Sequence, residues 1–169
     1  SLGVKKFLLD AYNSARQTKD NAKALLQSDR SAAIKTYLTA AEQFREMLND
    51  LTEPPIRDDR GQYLLYYYCK MNEAVCLLST NLIDEIKAAY ALYHSLESHY
   101  SDFPLVKMRM AQALGKLGEN SKAISKFEEA DKLISCSASE PISFSDSLPE
   151  VDYNHMCFAL PLMLGSEMW

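Results

Sequence analysis

The chain reads as an all-α protein: antiparallel helix hairpins stacked as a short solenoid, followed by an acidic, apolar C-terminal tail. Three observations predict this. Apolar residues recur at helical i, i+3, i+4 spacing over six separate runs, and no useful stretch alternates with the period of two that a strand needs. Turn-forming residues punctuate the gaps between those runs. A ridge of small and aromatic side chains also returns in the second helix of each hairpin: Ala33, Tyr37 and Ala40, then Ile86, Tyr90 and Tyr93, then Ala123, Phe127 and Ala130.

The first helix is expected over residues 2–27, with Phe7, Leu8, Ala11, Ala15 and Ala22 on its apolar side. Ser28 or Asp29 caps a second helix running to about residue 50. Glu53-Pro54-Pro55 ends that segment, because proline lacks an amide donor and pushes its predecessor out of the helical region. A third helix, near residues 62–79, carries Tyr63, Tyr66, Tyr67 and Tyr68. Asn81 is the expected cap of a fourth helix reaching about residue 99, with Asp84 and Glu85 in the first turn, where negative charge is favoured. Ser101-Asp102-Phe103-Pro104 marks the start of a fifth, since proline fits a first turn. Gly118-Glu119-Asn120 turns the chain into a sixth helix ending near residue 135, in which Phe127 is expected to fill the groove against the fifth.

Residues 1–135 thus form one helical domain, residues 136–150 a linker rich in serine and proline, and residues 151–169 an apolar tail. That tail holds ten large apolar side chains, so it is expected to dock on the helical body or to be a peptide ligand. The net charge of −5 lies entirely beyond residue 135, where Glu140, Asp146, Glu150, Asp152 and Glu167 occur without any lysine or arginine. A neutral body offers no electrostatic footprint for nucleic acid, and no run approaches the roughly 18 apolar residues of a membrane span. Neither nucleic acid nor membrane insertion is expected. Cys69, Cys76, Cys136 and Cys157 show neither zinc-ligand spacing nor a disulfide framework, and the opening Ser-Leu-Gly-Val-Lys-Lys lacks the apolar core of a signal peptide. An intracellular setting, cytoplasmic or nuclear, is expected. Cys69 and Cys76 read as small core residues.

Residues 104–135 carry a sharper pattern: Ala111, Leu114, Leu117-Gly118, Ala123, Phe127 and Ala130 occupy small, large, turn, small, aromatic and small positions. This resembles the tetratricopeptide-repeat family, over roughly residues 14–135, although the middle hairpin repeats after about 37 residues rather than 34. The resemblance implies a non-enzymatic scaffold or adaptor that binds a peptide or helix of another protein in a groove lined by the first helix of each hairpin. It points to Tyr66, Asn72, Lys107 and Arg109 as peptide-binding residues. Chaperone-binding members hold a C-terminal carboxylate in a clamp of five side chains. Asn72 and Arg109 fall on two of those positions, whereas Leu105, and Thr18 and Ala22 in the first repeat, replace the others. Residues 7–46 are also similar to the first hairpin of the microtubule-interacting-and-transport domain, which recognises short helical motifs. A third reading is the structural end section of a larger assembly subunit, its groove filled by its own chain.

No enzyme is legible. Phosphate-loop, dinucleotide-binding, zinc-protease and nucleophile-elbow motifs are all absent. His94, His99 and His155 have no second ligand at metal spacing, so neither metal nor cofactor is expected. The tyrosines of the third helix read first as packing between hairpins with hydroxyls reaching solvent; because Tyr66 lies off the face shared by Tyr63 and Tyr67, the other reading is a partly exposed aromatic platform for a peptide.

Overall fold

A computed structural model describes residues 4–137. Among them are six helices and no strand: α1 (Lys6–Leu25), α2 (Arg30–Met47), α3 (Arg60–Ser79), α4 (Ile83–Glu97), α5 (Pro104–Lys116) and α6 (Asn120–Ser137). A 3-10 turn, Leu48–Asp50, follows α2. The six expected helices are all present. The expected domain limit at residue 135 falls inside α6; the rest of the linker, and the tail at residues 151–169, lie outside the described residues.

The caps explain the boundaries. Asp29 accepts the Ala32 amide at 3.0 Å, as its sequence position suggests, and Asp59 accepts that of Gln62 at 3.3 Å, starting α3 two residues early. Asn81 is not the cap of α4. It adopts the left-handed region at φ 57 immediately after α3, a conformation that asparagine tolerates better than most residues, and so terminates α3. Leu82 stands at the start of α4 without a side-chain cap, its own amide donating to the Thr80 hydroxyl at 3.2 Å. Asp102 does not cap α5 either: Pro104 heads that helix, and the Asp102 carboxylate accepts from Arg57 at 3.0 Å. Gly118 closes α5 at φ 80, which a side chain would strain, while the Glu119 amide donates to the Leu114 carbonyl at 2.9 Å.

Each helix packs chiefly on its predecessor and its successor in the chain. Of the six, α3 is buried on nearly every side, which marks it as the central element. Its tyrosines follow from that position. Tyr63 stacks on Tyr100 with ring centres 4.3 Å apart, and Phe103 packs its edge toward Tyr67 at 4.7 Å. The Tyr63 hydroxyl donates to the His99 carbonyl and the Tyr100 hydroxyl to the Tyr63 carbonyl, so two bonds tie the start of α3 to the turn after α4. Burial, opposed by nearby Arg57, pushes the Tyr63 hydroxyl up to about 12. Cys69 and Cys76 are buried free thiols, as their spacing suggests.

The aromatic ridge behaves as a series. Tyr37 is buried, and Tyr90 is partly covered by a cluster of Ala111, Leu114 and Ala123 from the following hairpin. Phe127 remains 41% exposed, with Ile124 beside it at 58%. The expectation that Phe127 fills the groove between α5 and α6 is therefore corrected. The aromatic of each second helix points toward the next hairpin, and among the described residues none follows α6.

Candidate functional site

The four residues singled out for peptide binding do not converge. Tyr66 is 5% exposed, and its hydroxyl donates to Glu53 Oε1 at 2.8 Å. Its ring belongs to the interior and not to an exposed platform, because α3 is enclosed on the side where Tyr66 sits. Asn72 lies about 120° further round α3, at 100° per residue, and is fully buried. Its Oδ1 accepts from Lys19 Nζ at 2.7 Å, while its Nδ2 donates to the Tyr68 carbonyl at 2.9 Å and to the Tyr12 hydroxyl at 3.2 Å. A side chain so committed has nothing left for a ligand. Burial, only partly offset by Arg16 and Asn72, drives the Tyr12 hydroxyl well above the usual phenol range, so it stays protonated within this network.

Lys107 is also committed. Its Nζ donates to Glu97 Oε2 at 2.6 Å and lies 3.4 Å from Glu129 Oε1. Lys126 contacts the same Glu97 oxygen at 2.6 Å, so one ionic cluster joins α4, α5 and α6. Partial burial acts against the Glu97 charge, but hydrogen bonds from Lys107 and Lys126 outweigh it and hold the carboxyl below the usual range.

Arg109 alone faces an open groove. It lies on α5 at a depression of about 540 Å³ bounded by the turn after α1 and by α2, α3 and α5, walled by Leu26, Tyr37, Val75 and Leu78 and rimmed by Gln112 and Lys116. Nη1 of Arg109 donates to Gln112 Oε1 at 2.8 Å, and its Nε is shielded from solvent without a hydrogen-bond partner. Lys116 donates to Asn81 Oδ1 at 2.6 Å, anchored there by the left-handed turn that ends α3. Among the described residues no carboxylate lines this groove. Its chemistry is a cationic fork at an apolar wall, suited to an anionic group carried on an apolar segment.

A second groove, of about 530 Å³, opens on the opposite side of α3. It runs between α2 and α4 over Lys70, Glu73 and Leu77. Glu73 is 6% exposed, and its Oε1 is buried without a hydrogen-bond partner. Desolvation, tempered by Lys70 and Arg45, pushes its carboxyl up from 4.5 to about 7. The folded chain therefore keeps a proton on Glu73 over a range in which the unfolded chain has released it. Stability falls as pH rises from about 4.5 to about 7 and levels off above, a loss on the order of 2 kcal/mol once solvent at the groove is allowed for. Glu73→Gln is expected to abolish this slope and to stabilise the fold at pH 8, as urea denaturation at pH 5 and pH 8 would show. An unchanged slope in the variant would assign the pH dependence elsewhere.

Lys19 and Glu73 are the buried charged residues that sequence reasoning missed. Both sit on helices where a charged side chain ordinarily marks the solvent face, and nothing local signals that Asn72 comes to meet Lys19. Among the described residues no group of histidine, cysteine or carboxylate side chains is placed to hold a metal, and no helix is long and apolar enough to cross a membrane. The chain matches no protein-family model, no curated protein and no solved structure.

Proposed function

We propose that this protein is a non-enzymatic interaction module that takes a peptide of a partner protein in the groove between α3 and α5, with Arg109 as the anchor for a carboxylate. The observation that carries the reading is the shielded Nε of Arg109, which among the described residues has no hydrogen-bond partner and no acid in its groove. A carboxylate entering there would gain charge-assisted bonds from a guanidinium already held by Gln112. The tetratricopeptide-like stacking of hairpins belongs to the same proposal: each helix packs chiefly on its neighbours in the chain, and α3 and α5, the first helices of the second and third hairpins, both line the groove.

Fluorescence polarisation with labelled apolar peptides, each carrying one aspartate or glutamate, tests it. Binding to the full chain is expected, weakened about tenfold to a hundredfold by Arg109→Gln, as the loss of a charge-assisted bond implies. Equal affinity for the variant would remove Arg109 from the site. The alternative, an assembly end section whose groove is filled by its own chain, makes a different prediction. Truncation after Ser137 would then raise peptide affinity, because residues 151–169 carry acidic and apolar side chains suited to the same groove. Failure of both forms to bind any peptide would favour a purely structural role.

A further inference from the structure

The second groove has the opposite charge preference. We propose that the channel between α2 and α4 is a docking site for a helix of a partner protein, seated by a lysine whose ammonium meets Glu73.

Both α2 and α4 pack on α3, and the channel left between them has α3 as its floor. Its walls are small or half-buried: Ala41, Ala88 and Ala91 allow close approach of another helix, and Leu38 and Leu92 offer apolar contact. The lining residues on α4 run from Glu85 to Ser95, about 15 Å at 1.5 Å per residue, enough for two to three turns of an incoming helix.

Glu73 decides the charge of the occupant. Arg45 and Lys70 act on it only at a distance, without an ion pair: Arg45 pairs with Glu42 on its own helix, and Lys70 Nζ lies over the Tyr66 ring at 5.7 Å. Counting Glu42, Arg45, Lys70, Glu73 and Glu85, the lining holds three acids and two bases. The excess is acidic once Glu73 is ionised, which an incoming ammonium would favour, and among the described residues its buried Oε1 accepts no hydrogen bond. An ammonium on a slender, flexible stem reaches such an oxygen, whereas a planar guanidinium needs room for two parallel bonds. This site shares no lining residue with the Arg109 groove, so the two proposals stand or fall separately.

A displayed library of 15-residue helices, one face randomised and the other fixed as polar, would be selected against the full-length protein. Enriched helices are expected to share one lysine flanked by small or apolar residues at the neighbouring turns. A synthetic copy should lose about tenfold or more in affinity when that lysine becomes glutamine, and by a similar factor against Glu73→Gln, but not against Arg109→Gln. Ala88→Arg, a change at an exposed wall position, should block binding without touching the core. The proposal is overturned if no helix is enriched, if the enriched helices lack lysine, or if either Glu73→Gln or Ala88→Arg leaves their affinity unchanged.

Discussion

Replacing Phe103 with alanine is expected to lower the free energy of unfolding by about 3–5 kcal/mol, the usual cost of emptying a large aromatic site in a close-packed interior. Phe103 is 2% exposed and meets three rings, with centres 4.7 Å away at Tyr67, 5.3 Å at Tyr100 and 6.3 Å at Tyr63. Those rings belong to the central helix and to the turn after α4, and the Tyr63 and Tyr100 hydroxyls bond backbone across the same junction. The cavity left behind cannot collapse without pulling α3 away from that turn. Phe127→Ala provides the contrast: its ring is already partly in water, so the loss is expected to stay below about 1 kcal/mol. Urea denaturation of the two variants checks both values. Equal losses would mean that α6 is covered by something beyond the described residues.

The second large effect concerns Asn72. Asn72→Leu removes the acceptor of a buried ammonium and the amide that serves Tyr12 and the Tyr68 carbonyl, at an expected cost of about 3 kcal/mol, the upper end for a bond to a charged group. Lys19→Met alone should be the milder change, since the neutral amide it abandons is cheaper to leave unmet than a charge. In the double variant most of the loss should return, because two apolar side chains then face each other where polar groups met. A thermodynamic cycle over the four proteins reports the coupling directly. Additive losses would show that Lys19 and Asn72 act independently, which a separation of 2.7 Å makes hard to sustain.

These residues also show how far the sequence could be read. All six helices were legible because each carries a full helical period of apolar residues between turn-formers, and Asp29 capped as its position suggests. Asn81 misled because asparagine suits two opposite tasks, capping a helix start and adopting the left-handed conformation that ends one. The ridge containing Phe127 identified the side of α6 that faces onward, but a pattern within one helix cannot say whether another layer follows. In the candidate site only Arg109 was placed at an open groove. Asn72 and Lys107 satisfied a spacing, yet partners 53 and 10 residues away claimed them. Long-range pairing leaves no local trace, so the same reasoning could not have found Lys19, and Glu73 is buried by the enclosure of α3 and not by any motif of its own.

The order in which the helices touch has a kinetic consequence. With α1 on α2, α2 on α3, and so on to α6, most contacts join segments close together in the chain. Little loop-closure entropy is then spent before a contact forms, which favours rapid folding from any adjacent pair. The reverse process starts at the ends. Opening α6 breaks contacts chiefly with α5, whereas opening α3 strips a helix buried on nearly every side. The chain therefore behaves as a zipper with a firm middle: the ends can open and close many times while the segment around α3, which forms part of both grooves, stays shut.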